Sequence, residues 1–430
     1  MDNLTHTLIG TTLAFTWLDG REGVLGKKEA SPYFYEKAAF WTAIVGSNFP
    51  DLDFLLNPFL GGGKLAYLLS HRGYTHSLLL VPFTGMVSAL FGFGIAQLRC
   101  REVRVKEKFS FPLLFVLGMV ACSLHIGADF WNDYGVHPFS PVMNRWYYGD
   151  FVFILEPLVW LCLIPILVQR LKTRFLRGVW IAIALSVSGL LLWGGFAPRA
   201  IGFFAIFFAG IFSCWQFRSK SIWPAVFGLV VILLVFKFSA TRAREEILRN
   251  FAQALPTEKA VDLVSTAAPA DPFCWRMIVL SLGQNQDTYF GRVASVSLWP
   301  AWLSPRGCFF RLGDALEKNP PFWFGKNLEN LSEVDSVHWY GGVKGSLESL
   351  RKKAQSDCQV SQLLRFARIP FFHALPSGEE IMGDLRYDYS DGTGFAKISL
   401  HAEDSKAPCL KWEVPWEPPA LHAFGISEFR

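Results

Sequence analysis

Apolar positions dominate the first 240 residues and fall into eight runs. They lie near 4–18, 38–56, 77–98, 111–128, 151–169, 178–193, 200–217 and 222–239. A helix needs roughly 20 apolar residues to cross the hydrocarbon of a bilayer, and most of these runs meet that length. The first is short and studded with polar residues, which reads as a half-inserted helix. After about residue 240 the pattern changes. The charged segment Thr241-Arg-Ala-Arg-Glu-Glu opens a helix expected to run to Leu255. Short alternating runs follow, punctuated by turn residues. The runs at 275–281 and 292–298, separated by Gly283-Gln-Asn-Gln-Asp, read as a β-hairpin with an extended loop. The predicted fold is therefore a membrane α-helical bundle of about eight spans followed by a β-rich soluble C-terminal domain.

Composition agrees with that division. The 430 residues are 51% hydrophobic and only 18% charged, which is low for a soluble chain. The net charge of +5 sits in short loops and forms no nucleic-acid-binding face, so no nucleic acid is expected as a partner. Asp2 and His6 stand where a signal peptide would be basic, and no small-residue cleavage site follows. Lys and Arg gather in the loops 20–37, 99–108, 170–177 and 218–220. With eight spans these loops share one side, expected to be the cytoplasm. The N-terminus, the C-terminal domain and the other span ends then fall outside. Four of the eight Cys (Cys274, Cys308, Cys358 and Cys409) lie in the C-terminal half. Outside the cytoplasm they have the number needed for two disulfides. None of the eight makes a CxxC pair, which argues against a thiolate zinc site.

Polar residues interrupt the apolar runs in a recurrent way. The patterns are Asp2-Asn-Leu-Thr-His6, Asn48-Phe-Pro-Asp51-Leu-Asp53, His71-Arg72-Gly-Tyr-Thr-His76-Ser77 and His125-Ile-Gly-Ala-Asp129. Ionisable groups at membrane depth are costly and so are usually functional. Imidazoles mixed with carboxylates suit a zinc-like divalent ion. The Asp2/His6 and His125/Asp129 pairs are four apart, which on a helix puts both side chains on one face. Asp51 and Asp53 follow Pro50 and read as loop residues able to turn towards a shared ion. Any one of these pairs alone equally suits a turn, an N-cap or a surface helix. What favours a site is that the span count brings all four segments to the same membrane edge. Glu156 is the only acid between residue 151 and the end of the last run; it reads as a further ligand or as an internally paired Glu. Arg72 suits a phosphate or carboxylate clamp, or a headgroup anchor. Asn48 and Asn132 are candidate supporting donors, and His137 is a weak candidate in a loop.

Taken in order, Met1-Asp2-x-x-Thr5-His6, Asn48-x-Pro50-Asp51-x-Asp53, His71-Arg72-x-x-Thr75-His76-Ser77 and His125-x-x-x-Asp129 resemble the YdjM-type (LexA-regulated) family of membrane-bound, metal-dependent hydrolases over roughly residues 1–160. The tail segments Asp271-Pro-Phe-Cys-Trp275-Arg276 and Gly383-Asp-Leu-Arg-Tyr387 resemble the C-terminal extension of longer bacterial members, less specifically. The family is thought to be distantly similar to zinc-dependent phospholipases C and single-strand nucleases. The resemblance implies that His6, Asp51, Asp53, His71, His76, His125 and Asp129 are ligands or their near neighbours. It further implies hydrolysis by a metal-activated water, with Asp51 or Asp53 accepting the proton and Arg72 holding substrate oxygens. Those enzymes use a second helical His-x-x-x-Glu, but Val152 stands four residues before Glu156 here, which argues against a full three-metal cluster.

These readings divide the chain into a metal-site helical domain (1–160), additional transmembrane helices (161–240) and an extracytoplasmic β-rich domain (241–430). They predict a multi-pass protein of the bacterial inner membrane with its site and C-terminal domain on the periplasmic side. The expected partners are the bilayer and a lipid or lipid-linked phosphoester. Two other classes stay open: an ion or proton-coupled transporter, and a metal-stabilised scaffold without catalysis.

Overall fold

The computed structural model describes residues 1–25, 33–61, 63–99, 111–194, 198–308, 324–325, 334–374, 378–388, 394–400 and 409–426. Helices α1 (Asn3–Leu25), α2 (Tyr33–Gly46), α5 (Val81–Arg99) and α6 (Phe111–Phe130) form the first bundle, with the short α3 (Asn57–Leu60) and α4 (Gly63–Ser70) between α2 and α5. Close packing rests on small residues, as in membrane bundles. A Cβ on Gly118 of α6 would strike the Gly85 carbonyl of α5, and one on Gly92 of α5 would strike Thr42 of α2. Helices α7 (Pro157–Arg170), α8 (Arg174–Trp193), α9 (Arg199–Ser219) and α10 (Trp223–Ala254) complete the helical part.

Five described helices, rather than eight, are long and apolar enough to cross a membrane: 78–99, 111–130, 174–193, 199–219 and 223–254. The run at 38–56 fails because α2 stops at Gly46 and Pro50 starts a 3-10 helix, Phe49–Leu56. The run at 151–169 fails because its helix begins only at Pro157 and has 14 residues. The first run is a 23-residue helix, but its last third carries Asp19, Arg21 and Glu22.

The last span and the charged helix predicted after it are one element. Nothing between Ser239 and Glu246 breaks a helix, so α10 runs for 32 residues. At 1.5 Å per residue that is about 48 Å, well beyond the ~30 Å of hydrocarbon. Its C-terminal turns stand clear and pack on an antiparallel sheet, β1 (Lys259–Ala268), β2 (Asp271–Leu282), β3 (Thr288–Ser297) and β4 (Val337–Ser346), in that order. The expected hairpin is β2–β3, with Trp275 opposite Val296. A second antiparallel sheet joins β5 (Pro370–Ala374), β6 (Glu380–Asp384) and β7 (Lys397–Leu400). The four Cys of this half, enough for two disulfides, pair as Cys274–Cys308 and Cys358–Cys409.

The two halves are interlocked through the loop 131–150. Arg368 bridges Asp150 at 3.0 Å and Asp262 at 2.6 Å. Arg386 donates to the Asp133 carbonyl at 2.6 Å. Trp416 is fully buried and donates to the Leu69 carbonyl at 2.7 Å.

Candidate metal centre

The four motif segments meet at one pole of the first bundle. His6 lies in the first turns of α1, and Asp51 and Asp53 lie on the 3-10 helix after α2. His76 precedes α5, and His125 and Asp129 lie in the last turns of α6. One ligand atom from each of Asp51, His76, His125 and Asp129 lies within 4.8 Å of the others, and all four residues are buried. Ligands held at about 2.0–2.2 Å around one ion lie within roughly 4.4 Å of one another, so the spacing is a few tenths of an ångström wide of a closed shell.

Hydrogen bonds behind the rings decide which atoms face inward. His125 Nδ1 donates to the Ser47 carbonyl at 2.7 Å, since a carbonyl only accepts. His76 Nδ1 faces an Asp53 oxygen at 3.5 Å and Thr75 Oγ1 at 3.1 Å. The two Nε2 atoms face each other 3.0 Å apart. That distance is met by two ligands of one cation or by a ring proton shared between them. Asp51 Oδ1 looks onto the same point, 3.5 Å from His125 Nε2 and 3.6 Å from His76 Nε2, with no hydrogen-bond partner of its own. Burial alone would raise the Asp51 carboxyl; the two facing imidazoles outweigh it and hold the group well below the usual carboxylate range. The donor set of two imidazoles and two carboxylates fits a divalent transition ion.

Asp129 is the most heavily engaged member. It contacts His76 Nε2 at 3.0 Å, His6 Nε2 at 3.2 Å, Arg72 Nη2 at 3.0 Å and the amino group of Met1. His6 stacks on His125, with ring centroids 3.8 Å apart, and its Nδ1 has no partner. It lies beside the four-residue group and can supply a fifth nitrogen.

Other predicted residues stand behind this group. Asp53 accepts from His71 Nδ1 at 3.0 Å, from the Arg72 backbone at 2.7 Å and from Thr75 Oγ1 at 3.2 Å. Both its oxygens are thus spent on the His71–His76 loop, where Arg72 adopts a positive φ of 60°, uncommon for a long side chain. His71, expected as a ligand, reaches the centre only through Asp53. Arg72, expected as a substrate clamp, is buried and directed at Asp129, at Asn132 Oδ1 (2.9 Å) and over the Tyr134 ring (4.7 Å). Asp2 caps Thr5, and Asn48 donates to the Ile44 carbonyl. His137 donates to the Arg72 carbonyl at 3.2 Å and stacks on Trp416; burial lowers its imidazole to about 3, so it is a neutral spacer.

Glu156, also expected as a ligand, is elsewhere. It is the N-cap of α7, accepting from Leu158 N at 3.0 Å and from Ala270 N at 3.2 Å in the β1–β2 turn. Burial raises its carboxyl to about 8. The contributions of the Ser47 carbonyl, the Met1 amine and Trp416 escaped the sequence reading. A backbone carbonyl, a chain terminus and a Trp some 340 residues downstream leave no spacing signal.

This arrangement of motifs can be set beside known proteins. The family described as YdjM inner membrane protein matches residues 1–201. That stretch contains every residue of the cluster. The match covers just under half of the 430 residues. The YdjM segment is also similar to the uncharacterized protein YfhP of Bacillus subtilis (strain 168), 24% identical over 163 residues, 37% of this chain. The match covers 43% of that protein, so this chain spans less than half of its relative's length. No solved structure matches the chain. The YdjM match and the five apolar helices make this a membrane protein.

Proposed function

We propose that the protein is a membrane-bound, metal-dependent hydrolase acting on a phosphoester of a membrane amphiphile. The observation that carries this reading is the pair of inward-facing Nε2 atoms with the free Asp51 oxygen beside them. Asp51, His76, His125 and Asp129 would hold a divalent cation, zinc being the natural choice for this donor set, and the ion would supply an acidified water and a Lewis acid for a phosphoryl oxygen. Asp51 is the proton acceptor through Oδ2, the oxygen that does not face the cation, because Asp53 has no oxygen to spare. Asp53 positions His76 and the Arg72 loop. Arg72 offsets the charge of Asp129. The fit to zinc-dependent phospholipases C and nucleases rests on the shared helical His-x-x-x-Asp and on this donor chemistry.

The rim of the site supports an amphiphilic substrate. Leu52, Phe54 and Leu55 beside the Asp51/Asp53 segment, Leu78 and Leu79 after His76, and Val142 are all exposed. The backbone bond from Leu78 N to the Pro138 carbonyl joins two of these segments into one apolar collar. Leu79 continues as an exposed stripe through Phe83 and Leu90 down α5, so apolar surface runs along the helix to the rim of the site. A transporter is disfavoured because α8, α9 and the apolar part of α10 contain no acid or His.

The orientation we propose places site and sheets in the periplasm. Both disulfides favour an oxidising compartment. Arg170 pairs with Asp19 at 2.5 Å, and Gln169 with Gln216 at 2.8 Å. These contacts bring the basic ends of α7 and α9 to the pole opposite the site, as a cytoplasmic face requires.

The test is turnover in vesicles. Protein reconstituted with a panel of glycerophospholipids and an isoprenoid pyrophosphate is expected to release phosphate or phosphoalcohol from at least one of them. Activity should stop with a chelator, return with zinc, and fall by at least ~10²-fold in Asp51→Asn. Absence of metal-dependent release across that panel would remove the hydrolase assignment.

A further inference from the structure

The segment 409–418 has no regular secondary structure, yet one of its residues packs against the loop that carries His76. Trp416 is fully buried. Its Nε1–H donates to the Leu69 carbonyl at 2.7 Å. Its ring stacks on His137, with centroids 3.9 Å apart, and lies 4.9 Å from the Tyr74 ring. A Cβ on Gly73 would come within 2.8 Å of the indole, so the loop backbone runs directly against the ring. One side chain thus touches the loop at Leu69, Gly73 and Tyr74, on both sides of Arg72.

The strap that carries Trp416 is itself tied down. Cys409 is joined to Cys358, and the Leu410 N–H donates to Gln362 Oε1 at 3.1 Å. The Trp416 carbonyl accepts from Arg365 Nη1 at 3.0 Å, and the Glu417 N–H donates to the Asn144 carbonyl at 2.9 Å. The loop it meets needs such support. Arg72 holds a left-handed φ of 60°, a conformation that a long side chain keeps only where its surroundings enforce it. Asp53 takes the Arg72 N–H from the bundle, and His137 donates to the Arg72 carbonyl from the loop 131–150. Trp416 closes the third side, against the next residue and against His137 itself.

We propose that Trp416 is a positioning residue of the metal centre. It fixes the backbone from Leu69 to Tyr74, and with it the placement of His76 among the ligand atoms and of the Arg72 guanidinium at Asp129. The inference rests on Asp51, His76, His125 and Asp129 being cation ligands. It gives the C-terminal half a part in the chemistry of the bundle, since loss of the wedge leaves every donor atom present but loosens where one of them stands.

The test uses the full chain in detergent with cobalt(II) as the ion, and compares Trp416→Ala, Trp416→Phe and Gly73→Ala, which drives a methyl at the same ring. Trp275→Ala truncates an equally buried indole on β2 and measures the effect of lost stability alone. Trp416→Ala and Gly73→Ala are expected to weaken cobalt binding at least ~10-fold and to change the visible d–d bands of the bound ion. Trp416→Phe, which keeps a ring against His137, should recover part of the loss, and Trp275→Ala should keep wild-type affinity and bands. The N–H groups of Gly73, His76 and Ser77 are hydrogen-bonded within the loop. In metal-free protein their hydrogen exchange should quicken at least ~10-fold in Trp416→Ala and stay as in wild type in Trp275→Ala. Wild-type affinity and bands in both Trp416→Ala and Gly73→Ala, equal losses in Trp275→Ala, or unchanged exchange would overturn the proposal. Wild type that binds no cobalt would sink the metal assignment instead, and the exchange result then decides the proposal by itself.

Discussion

Asp53 does at the residue scale what its sequence neighbour Asp51 does not. Both follow Pro50 on one 3-10 helix, yet one faces the cluster and the other faces the His71–Thr75 loop, because residues two apart on so tight a turn diverge. Asp53 then holds His71, the Arg72 backbone and Thr75 together, and through them sets the His76 ring. Partners of this kind tune ligands they do not join. Asp53→Asn is expected to weaken metal binding about 10–100-fold while leaving a folded, membrane-inserted protein, measurable by competition with a chromophoric chelator. Unchanged affinity would show that Asp53 serves only the loop. The acid–imidazole motifs were legible in the chain because spacing betrays a shared helical face. Which member of each pair touches the centre was not legible. That depends on side-chain direction in irregular segments, where no period applies.

At the scale of elements, the join between α7 and the sheet illustrates how a functional-looking residue becomes a structural one. Pro157 at the first helical position makes Glu156 the cap, and the β1–β2 turn completes its bonds. Nearby Asp271 is also buried, and burial raises its carboxyl to about 6. Glu156, with its carboxyl raised to about 8 against an ordinary 4.5, stays protonated in the folded protein where the unfolded chain has already ionised. Its contribution is complete below about pH 4.5 and is lost as pH climbs through about 8. Thermal unfolding in detergent should therefore lose on the order of 2–4 kcal/mol between pH 5 and 8 from this group, and Glu156→Gln should flatten that slope. An identical slope in the variant would place the titration elsewhere. The same scale explains the lost spans. Apolar content was visible in all eight runs, but Pro50 and Pro157 end or delay the helices, and tertiary partners rather than hydropathy set their ends.

On the scale of the whole molecule, the bundle brings four distant segments to one pole and the sheets close over that pole through Arg368, Arg386 and Trp416. The hairpin was readable from local alternation and the number of disulfides from the Cys count, but which Cys joins which was not. The interlock was not, since contacts such as Trp416 with Leu69 carry no pattern along the chain. The proposed orientation predicts that a Cys placed at the exposed Val142 reacts with a membrane-impermeant maleimide in intact cells, while one at Lys220 reacts only after lysis. The reverse labelling would invert the topology. The account as a whole stands on the shared cation. Elemental analysis of purified wild type beside His125→Ala and Asp51→Ala measures it directly. About one equivalent or more of a transition metal in wild type, lost from both folded variants, is the predicted result; metal-free wild type, or equal metal in all three, would contradict it.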